Sequence, residues 1–199
     1  MIRFKPAFRG RVRSGVVLTA ALCVVLSACS SGEDSQAPGA AATTAASSGP
    51  DPARQAVQAG LAKHVKNDLT GARSDYERAL KLDPKNVLAL YNLGLLAQTR
   101  GDNVEAEKQY RAGLDANPDY QPAVFNLAIV RKAAGDKAEA EKLYRRAIAL
   151  RPGDAGAHLN LGLLLRENGN LVQGDAEVAT ALKLNPNFVD PAKKVEPAS

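Results

Sequence analysis

A proline that recurs at a fixed interval constrains the fold more than any other feature of this sequence. Pro84, Pro118, Pro152 and Pro186 each follow the previous one by 34 residues, and each closes a similar phrase: ALKLDP, GLDANP, AIALRP and ALKLNP. A period of about 20–50 residues is typical of repeat architectures, in which each unit buries its apolar face against its neighbours. We therefore expect four copies of one unit, spanning 53–86, 87–120, 121–154 and 155–188.

Each unit is predicted to contain two helices joined by a tight turn. We number repeat positions from the first residue of each unit. Position 15 carries a residue that adopts the left-handed backbone conformation at the end of a helix with little strain: Asn67, Gly101, Gly135 and Gly169. Position 16 provides a residue that caps the next helix; it is occupied by Asp68, Asp102, Asp136 and Asn170. The proline at position 32 then ends the second helix.

Small residues and tyrosines also recur in register. Position 8 is Gly60, Gly94, Ala128 and Gly162; position 20 is Ala72, Ala106, Ala140 and Gly174; position 24 is Tyr76, Tyr110, Tyr144 and Val178. This pattern resembles the tetratricopeptide repeat family, and the resemblance covers 53–188. It implies an all-α fold, a right-handed α-solenoid of four helix-turn-helix units, and a role in binding other proteins.

The outward faces of the first helices are the predicted binding surface. At about 100° per residue, positions 2, 6, 9 and 13 point away from the second helix, with position 5 on the flank. Stacked units align these positions into a concave groove, in which an apolar stripe runs beside a row of carboxamides that offer hydrogen-bond donors and acceptors. Such a groove suits an extended peptide or protein segment. Its predicted residues are Tyr91, Asn92, Leu95, Phe125, Asn126, Ile129, Asn160 and Leu163. Alternatively, the aromatic and asparagine residues stabilise the stack itself, since both belong to the family pattern.

The N-terminus resembles a bacterial lipoprotein signal. Five basic residues precede an uncharged, mostly apolar run, Val16 to Ala28, which is shorter than the roughly 20 residues of a membrane-spanning helix. Leu26-Ser27-Ala28-Cys29 resembles the lipobox. The resemblance implies a signal peptide over 1–28, a diacylglycerol anchor on Cys29, and placement outside the cytoplasm at the cell membrane, or at the outer membrane of a Gram-negative cell.

Residues 29–52 are expected to form a flexible linker after the lipidated cysteine. They are rich in Ser, Ala, Gly, Thr and Pro and include no large apolar residue, so they cannot bury enough surface to fold. The net charge of +5 arises from the five basic residues before Cys29, and the remainder carries 21 basic and 21 acidic residues. The basic pI is therefore no indication of nucleic-acid binding.

The sequence contains no recognisable catalytic or metal-binding motif. Its two histidines, His64 and His158, are far apart in the repeat frame, and neither a nucleophile elbow nor a phosphate-binding glycine loop is present. His158 is at a packing position and is expected to be partly buried. We therefore predict a protein that is not an enzyme and needs no cofactor or metal.

Two functions remain open at this stage. The first is an adaptor tethered to the envelope that binds an extended peptide or protein segment in its concave groove. The alternative is a structural or assembly subunit that contacts partners through its C-terminal repeat, and a homodimer through that end is a further hypothesis. The tail, 189–199, contains Pro191 and Pro197 and is not expected to be helical. Either it folds back with Phe188 and Val189 onto the last helix, or another protein covers that helix.

Overall fold

The computed structural model describes residues 51–192, all within a compact unit that spans Ser47–Ser199. The predicted signal peptide, Cys29, the linker up to residue 50 and the end of the tail lie outside the described residues. Nothing in the structure therefore tests the lipid anchor.

Eight helices follow one another in the described part of the chain. The first helices of the four repeats are α1 (Pro52–Val65), α3 (Val87–Thr99), α5 (Gln121–Ala133) and α7 (Ala155–Glu167). The second helices are α2 (Leu69–Leu82), α4 (Asn103–Ala116), α6 (Lys137–Leu150) and α8 (Leu171–Leu184). Residues 51–192 contain no strand. The predicted all-α fold of helix-turn-helix repeats is confirmed.

The turn between the two helices of each repeat has the predicted backbone. Position 15 has a positive φ in all four repeats: 61° at Asn67, 77° at Gly101, 86° at Gly135 and 84° at Gly169. The side chain at position 16 then accepts a hydrogen bond from the backbone N–H three residues later, as between Asp102 and Glu105 at 3.0 Å. This geometry satisfies one of the free N–H groups at the start of each second helix.

Helix pairs are held together by small residues facing a tyrosine ring. Tyr76, Tyr110 and Tyr144 are fully buried against their own first helices. In the second repeat, a Cβ built on Gly94 would lie 2.4 Å from the Tyr110 ring, so glycine permits the close approach. Positions 3 and 10, such as Ala89 and Leu96, are buried as well. The buried face of the first helices therefore includes these positions as well as position 8.

The fourth repeat packs differently, because Val178 replaces the tyrosine. A Cβ on Gly162 would lie 2.8 Å from the Gly174 carbonyl oxygen, so α7 and α8 meet almost backbone to backbone. His158 is buried nearby, as expected. Its Nδ1 is 2.6 Å from the Glu177 carboxylate, and its Nε2 is 2.9 Å from the Pro152 carbonyl oxygen.

The chain after α8 folds back onto the last repeat, which was one of the two alternatives expected. Of the two residues expected to take part, Phe188 is half-buried but Val189 is not. Val189 is 65% exposed, whereas Asp190 is 5% exposed. Both carboxylate oxygens of Asp190 accept hydrogen bonds from the Arg166 guanidinium, at 2.7 and 3.0 Å. The tail is thus attached by a charged pair, and the predicted role of Val189 is wrong. None of the eight helices has the length and hydropathy needed to span a membrane.

Candidate functional site: the inner wall

The candidate site is the face of the first helices that points away from the second helices. We call it the inner wall and define it by repeat positions 2, 5, 6, 9 and 13 of α1, α3, α5 and α7. Helices α3 and α5 are in contact with each other, so the wall continues from the second repeat to the third. All eight residues predicted for the groove lie on these positions.

The aromatic residues of the inner wall are partly built into the stack. The centroid of the Tyr91 ring lies 5.3 Å from that of Tyr120, in an edge-on arrangement, and 6.0 Å from that of Tyr110. The ring centroids of Phe125 and Tyr144 are 6.0 Å apart. Burial raises the pKa of the Tyr91 hydroxyl, so this group stays protonated near neutral pH. These rings therefore help to stabilise neighbouring repeats, and their use in binding stays a prediction.

The row of carboxamides is largely committed to the protein itself. Asn92 is 6% exposed, and its amide donates to the Leu88 carbonyl oxygen at 2.7 Å. Asn160 makes the same bond to Gly156 at 2.9 Å, whereas Asn126 donates to the Tyr91 hydroxyl of the preceding repeat at 3.1 Å. The sequence predicted free donors and acceptors here. The geometry instead favours the alternative, that these amides stabilise the stack, most clearly for Asn92.

The aliphatic residues of the wall remain available to a partner. Leu95, Ile129 and Leu163 are half-buried, and Leu95 and Ile129 also pack on one side against the buried core. Leu61, Leu88 and Val65 are 40%, 47% and 88% exposed, and they stand at positions 9, 2 and 13. Sequence reasoning placed positions 2, 9 and 13 outward but omitted these three residues from the predicted site. Their aliphatic character at outward positions was the signal that could have identified them.

The tyrosines at position 24 reach through to the edge of the wall at position 12, a contact that sequence reasoning missed. The Tyr110 hydroxyl donates to Gln98 Oε1 at 2.8 Å, and the Tyr76 hydroxyl lies 3.5 Å from His64 Nδ1. Burial, helped by the Asp75 charge, raises the pKa of Tyr76 to about 12. In the third repeat the partner is lost, because Lys132 turns to Glu167 and leaves the buried Tyr144 hydroxyl without a hydrogen bond.

Charge is scarce on the inner wall. Among its defined positions in the described repeats, only Arg54 and Glu167 carry a charge. The Glu167 carboxylate accepts a 2.7 Å hydrogen bond from Lys132, which lowers its pKa, with Lys137 at 3.6 Å. A ligand on the central part of the wall therefore meets aliphatic side chains with no unpaired charge beside them.

The opposite face of the molecule is rich in ion pairs. We call the outer wall the solvent-facing positions 18, 22, 25 and 29 of α2, α4 and α6, which are all exposed. Arg73 pairs with Glu77 at 2.7 Å, and Arg145 pairs with Glu141. Arg111 bridges two repeats, bonding Glu107 at 2.9 Å and Glu139 at 2.8 Å. Within residues 51–192, no three metal-ligating side chains come together in a way that could hold a metal ion.

Known proteins with the same architecture identify the class of this protein. Three family models match: one described as TPR repeat over 60–101, and two described as tetratricopeptide repeat over 87–120 and 125–187. The chain is therefore a tetratricopeptide-repeat protein. Such repeats generally mediate protein–protein interactions and typically act as scaffolds without catalytic activity.

Solved structures share the fold at low sequence identity. A crystal structure of MamA is 20% identical with a TM-score of 0.61, the match covering 69% of this chain and 80% of that one. A tetratricopeptide repeat protein from Parabacteroides merdae is 21% identical with a TM-score of 0.61 and coverages of 70% and 56%. PilF of Pseudomonas aeruginosa is 22% identical with a TM-score of 0.62 and coverages of 69% and 63%. No curated protein sequence matches the chain. The structural likeness is therefore one of fold alone.

Proposed function

We propose that this protein is an adaptor that binds a peptide or protein segment on its inner wall while a lipid on Cys29 tethers it to the cell envelope. The observation that carries the binding part is the contrast in charge between the two walls. The central inner wall exposes aliphatic side chains without charge, whereas seven of the twelve outer-wall positions carry a charge, and Glu77 and Arg145 among them pair with neighbouring residues. An exposed apolar surface of this kind is typical of a protein-binding site.

The groove is tested by placing a charge on the inner wall. The tagged full chain is captured from membranes of the source organism, and the proteins that accompany it are compared between variants. Leu88 is 47% exposed, so Leu88→Glu disturbs the surface and not the core. Ile129→Glu places the same charge at the centre of the wall. We expect both to weaken capture of the partner by about tenfold or more, as for a truncated interface hot spot.

Arg145→Glu is the matched control, because it introduces the same residue on the outer wall at an exposed position. We expect the partner to be captured at the native level by this variant. If both inner-wall variants retain the partner while Arg145→Glu loses it, the inner wall is not the binding surface.

The envelope part of the proposal rests on the N-terminal sequence. A diacylglycerol group supplies two acyl chains, and two chains give stable anchoring where a single chain gives only marginal binding. The Ser- and Ala-rich linker is long enough to hold the repeats clear of the lipid headgroups, with a root-mean-square span of about 25–30 Å. Cys29→Ser is expected to release the protein from washed membranes. Unchanged membrane association of that variant would contradict the anchor.

A second function, assembly through the C-terminal repeat, is favoured by one observation. At the outer-wall positions of α8 stand Val172, Ala176, Ala179 and Lys183, all exposed, so alanine occupies positions 22 and 25, which are charged in α4 and α6. Leu171 and Val172 are 59% and 84% exposed. If a second copy binds this end, Val172→Glu converts a dimer to a monomer in equilibrium sedimentation. A native chain that is monomeric at high concentration excludes that dimer.

A further inference from the structure

We infer that a cavity between the first two repeats binds a small zwitterion, of the kind formed by a free α-amino acid with an aliphatic side chain. The cavity is lined by residues of α2, α3 and α4 and by Arg100, and its volume is about 130 Å³. It therefore has room for several water molecules or for one small ligand. None of the residues that line it belongs to the inner wall, so its occupancy is independent of the partner proposed above.

Three leucines form the apolar part of the cavity: Leu80, Leu93 and Leu96. Leu80 is half-buried, and Leu93 and Leu96 are 8% and 1% exposed. An aliphatic group that covers the remaining exposed surface of these leucines is stabilised by the hydrophobic effect. The ligand is therefore expected to have an aliphatic side chain.

One polar atom of the cavity is buried without a partner. The Gln109 Nε2 group donates to the Glu105 carboxylate at 2.7 Å. This bond fixes the orientation of the amide, because an ionised carboxylate accepts hydrogen bonds and cannot donate one. Gln109 Oε1 is left buried and accepts no hydrogen bond from the described residues. An unpaired buried acceptor is costly, so the cavity favours a ligand that brings a donor to this oxygen.

A second cavity, between α4 and α6, has the same plan but different polar residues. The two cavities share positions 25 and 28 of one repeat and positions 7, 19 and 23 of the next. Position 25 is Glu77 in the first cavity and Arg111 in the second, the following position 19 is Glu105 and Glu139, and the following position 23 is Gln109 and Leu143. In the second cavity, Arg111 donates to Glu139 at 2.8 Å, so a guanidinium joins the neighbouring second helices.

In the first cavity a carboxylate replaces that guanidinium. Glu77 pairs with Arg73 at 2.7 Å within α2, and Glu105 pairs with the exposed Lys108 at 3.5 Å within α4. Exposed pairs of this kind add little stability, and neither joins the two helices. A cationic group in the cavity would meet Glu77, Glu105 and the free oxygen of Gln109. The ammonium group of the ligand supplies this cation and carries three N–H donors.

An exposed cation at the end of α3 lines the same cavity. Arg100 forms no ion pair within residues 51–192. Position 14 is Ala134 in the third repeat, so the turn does not require an arginine. A carboxylate on the ligand would form a charge-assisted pair with this guanidinium. A purely cationic ligand would be repelled by Arg100, and a purely anionic one would leave Gln109 Oε1 unpaired, so a zwitterion fits both groups.

Equilibrium dialysis of the full chain, in a mild detergent, against radiolabelled L-leucine tests the site. We expect saturable binding of one leucine per chain at about 1 mM or below. The competitors are N-acetyl-L-leucine, which lacks the ammonium group, and L-leucinamide, which lacks the carboxylate. Each should compete at least about tenfold more weakly than leucine, since each loses a charge-assisted hydrogen bond. The absence of saturable binding at about 1 mM, or equal competition by either derivative, overturns the inference.

Two cavity variants and one matched control locate the bound leucine. Gln109→Leu removes the unpaired acceptor and Arg100→Ala removes the cation. The third repeat already has Leu143 and Ala134 at these positions, so the fold accepts both residues. Gln173→Leu makes the first substitution at an exposed position of α8.

We expect each cavity variant to bind leucine at least about tenfold more weakly than the native chain, and the control to bind it at the native level. Circular dichroism checks that the three variants keep the native helix content. Native affinity in either cavity variant, or an equal loss in the control, overturns the inference.

Discussion

The inner wall lies on the first helices of the repeats and the outer wall on the second helices, yet their polar side chains have different partners. On the outer wall, polar side chains form exposed ion pairs such as Arg73–Glu77. On the inner wall, the amides of Asn92 and Asn126 bond within the protein, and aliphatic side chains face outward. Exposed ion pairs add little stability, so the charge of the outer wall is best explained by solubility. The central part of the inner wall carries no charge and gives no such benefit, which supports the proposal that a partner binds there.

The two walls keep their relative positions because the two helices of each repeat pack tightly together. The largest predicted effect is that of a substitution that removes this packing. Tyr110 is fully buried between α3 and α4. Tyr110→Ala removes the ring and leaves a cavity, so we expect the free energy of unfolding to fall by about 3–5 kcal/mol. Urea denaturation followed by circular dichroism measures the change. A loss below about 1 kcal/mol would mean that the two walls are not held together by this ring.

The next prediction concerns how closely the first and second helices approach each other in the second and fourth repeats. A Cβ at Gly162 would meet backbone, the Gly174 carbonyl oxygen at 2.8 Å, whereas a Cβ at Gly94 would meet the Tyr110 ring. A ring can shift, and the third repeat already combines Ala128 with Tyr144. We therefore expect Gly162→Ala to destabilise by about 1–3 kcal/mol through overpacking.

Gly94→Ala is the matched variant. We expect it to cost clearly less than Gly162→Ala, because the Tyr110 ring that its Cβ meets can move; the gain of about 0.5–1 kcal/mol in helix propensity is common to both variants. Thermal unfolding of the two variants side by side gives the ranking. A greater loss in Gly94→Ala would contradict the backbone contact described for the fourth repeat.

A smaller effect distinguishes two tyrosines that the sequence presents as equivalent. The Tyr110 hydroxyl bonds Gln98 at 2.8 Å, but the Tyr144 hydroxyl is buried without a partner. Removing a bonded hydroxyl costs about 1 kcal/mol, so Tyr110→Phe should be destabilising. Tyr144→Phe removes an unpaired polar group and should be neutral or slightly stabilising. Equal losses in the two variants would show that Tyr144 has a partner in solution.

The smallest effect concerns the ion pair at the edge of the inner wall. The hydrogen bond from Lys132 lowers the pKa of Glu167, so this pair stabilises the fold above the unfolded-state glutamate pKa of about 4.3. That contribution is lost as pH falls through the lower folded-state value. Lys132→Met should therefore lower the free energy of unfolding at pH 7 by a few tenths of a kcal/mol.

The same variant should lose less stability than the native chain between pH 5 and about pH 3, because only Lys137 then lowers the pKa of Glu167. Urea midpoints measured at both pH values test this. An acid dependence identical to that of the native chain would mean that the Lys132–Glu167 pair is not formed in solution.

The repeat signals in the sequence predicted the fold because they act locally. Gly135 and Asp136 determine one turn through their own backbone and side-chain preferences, so no knowledge of distant residues was needed. The inner wall was harder to predict. Periodicity places Asn92 outward, but only the folded structure shows that its amide turns back to Leu88.

The other contacts that the sequence did not predict depend on which of several possible side chains forms the hydrogen bond. Lys132 could remain near Tyr144 or pair with Glu167, and its choice depends on where the next repeat places Glu167. The Asp190–Arg166 contact joins residues from the tail and α7, and no repeat pattern covers the tail. Contacts of this kind depend on tertiary geometry, which a single sequence does not reveal by periodicity.

Photocrosslinking in living cells is the most direct test of whether the partner binds on the inner wall. One set of chains carries the photoreactive residue on the inner wall, in place of Leu95 or Ile129; the other carries it on the outer wall, in place of Lys108 or Lys142. The uncharged inner wall should give a partner adduct at both of its positions, and the outer wall should give none. An adduct at Lys108 and Lys142 alone would show that the partner binds on the outer wall and not on the inner wall.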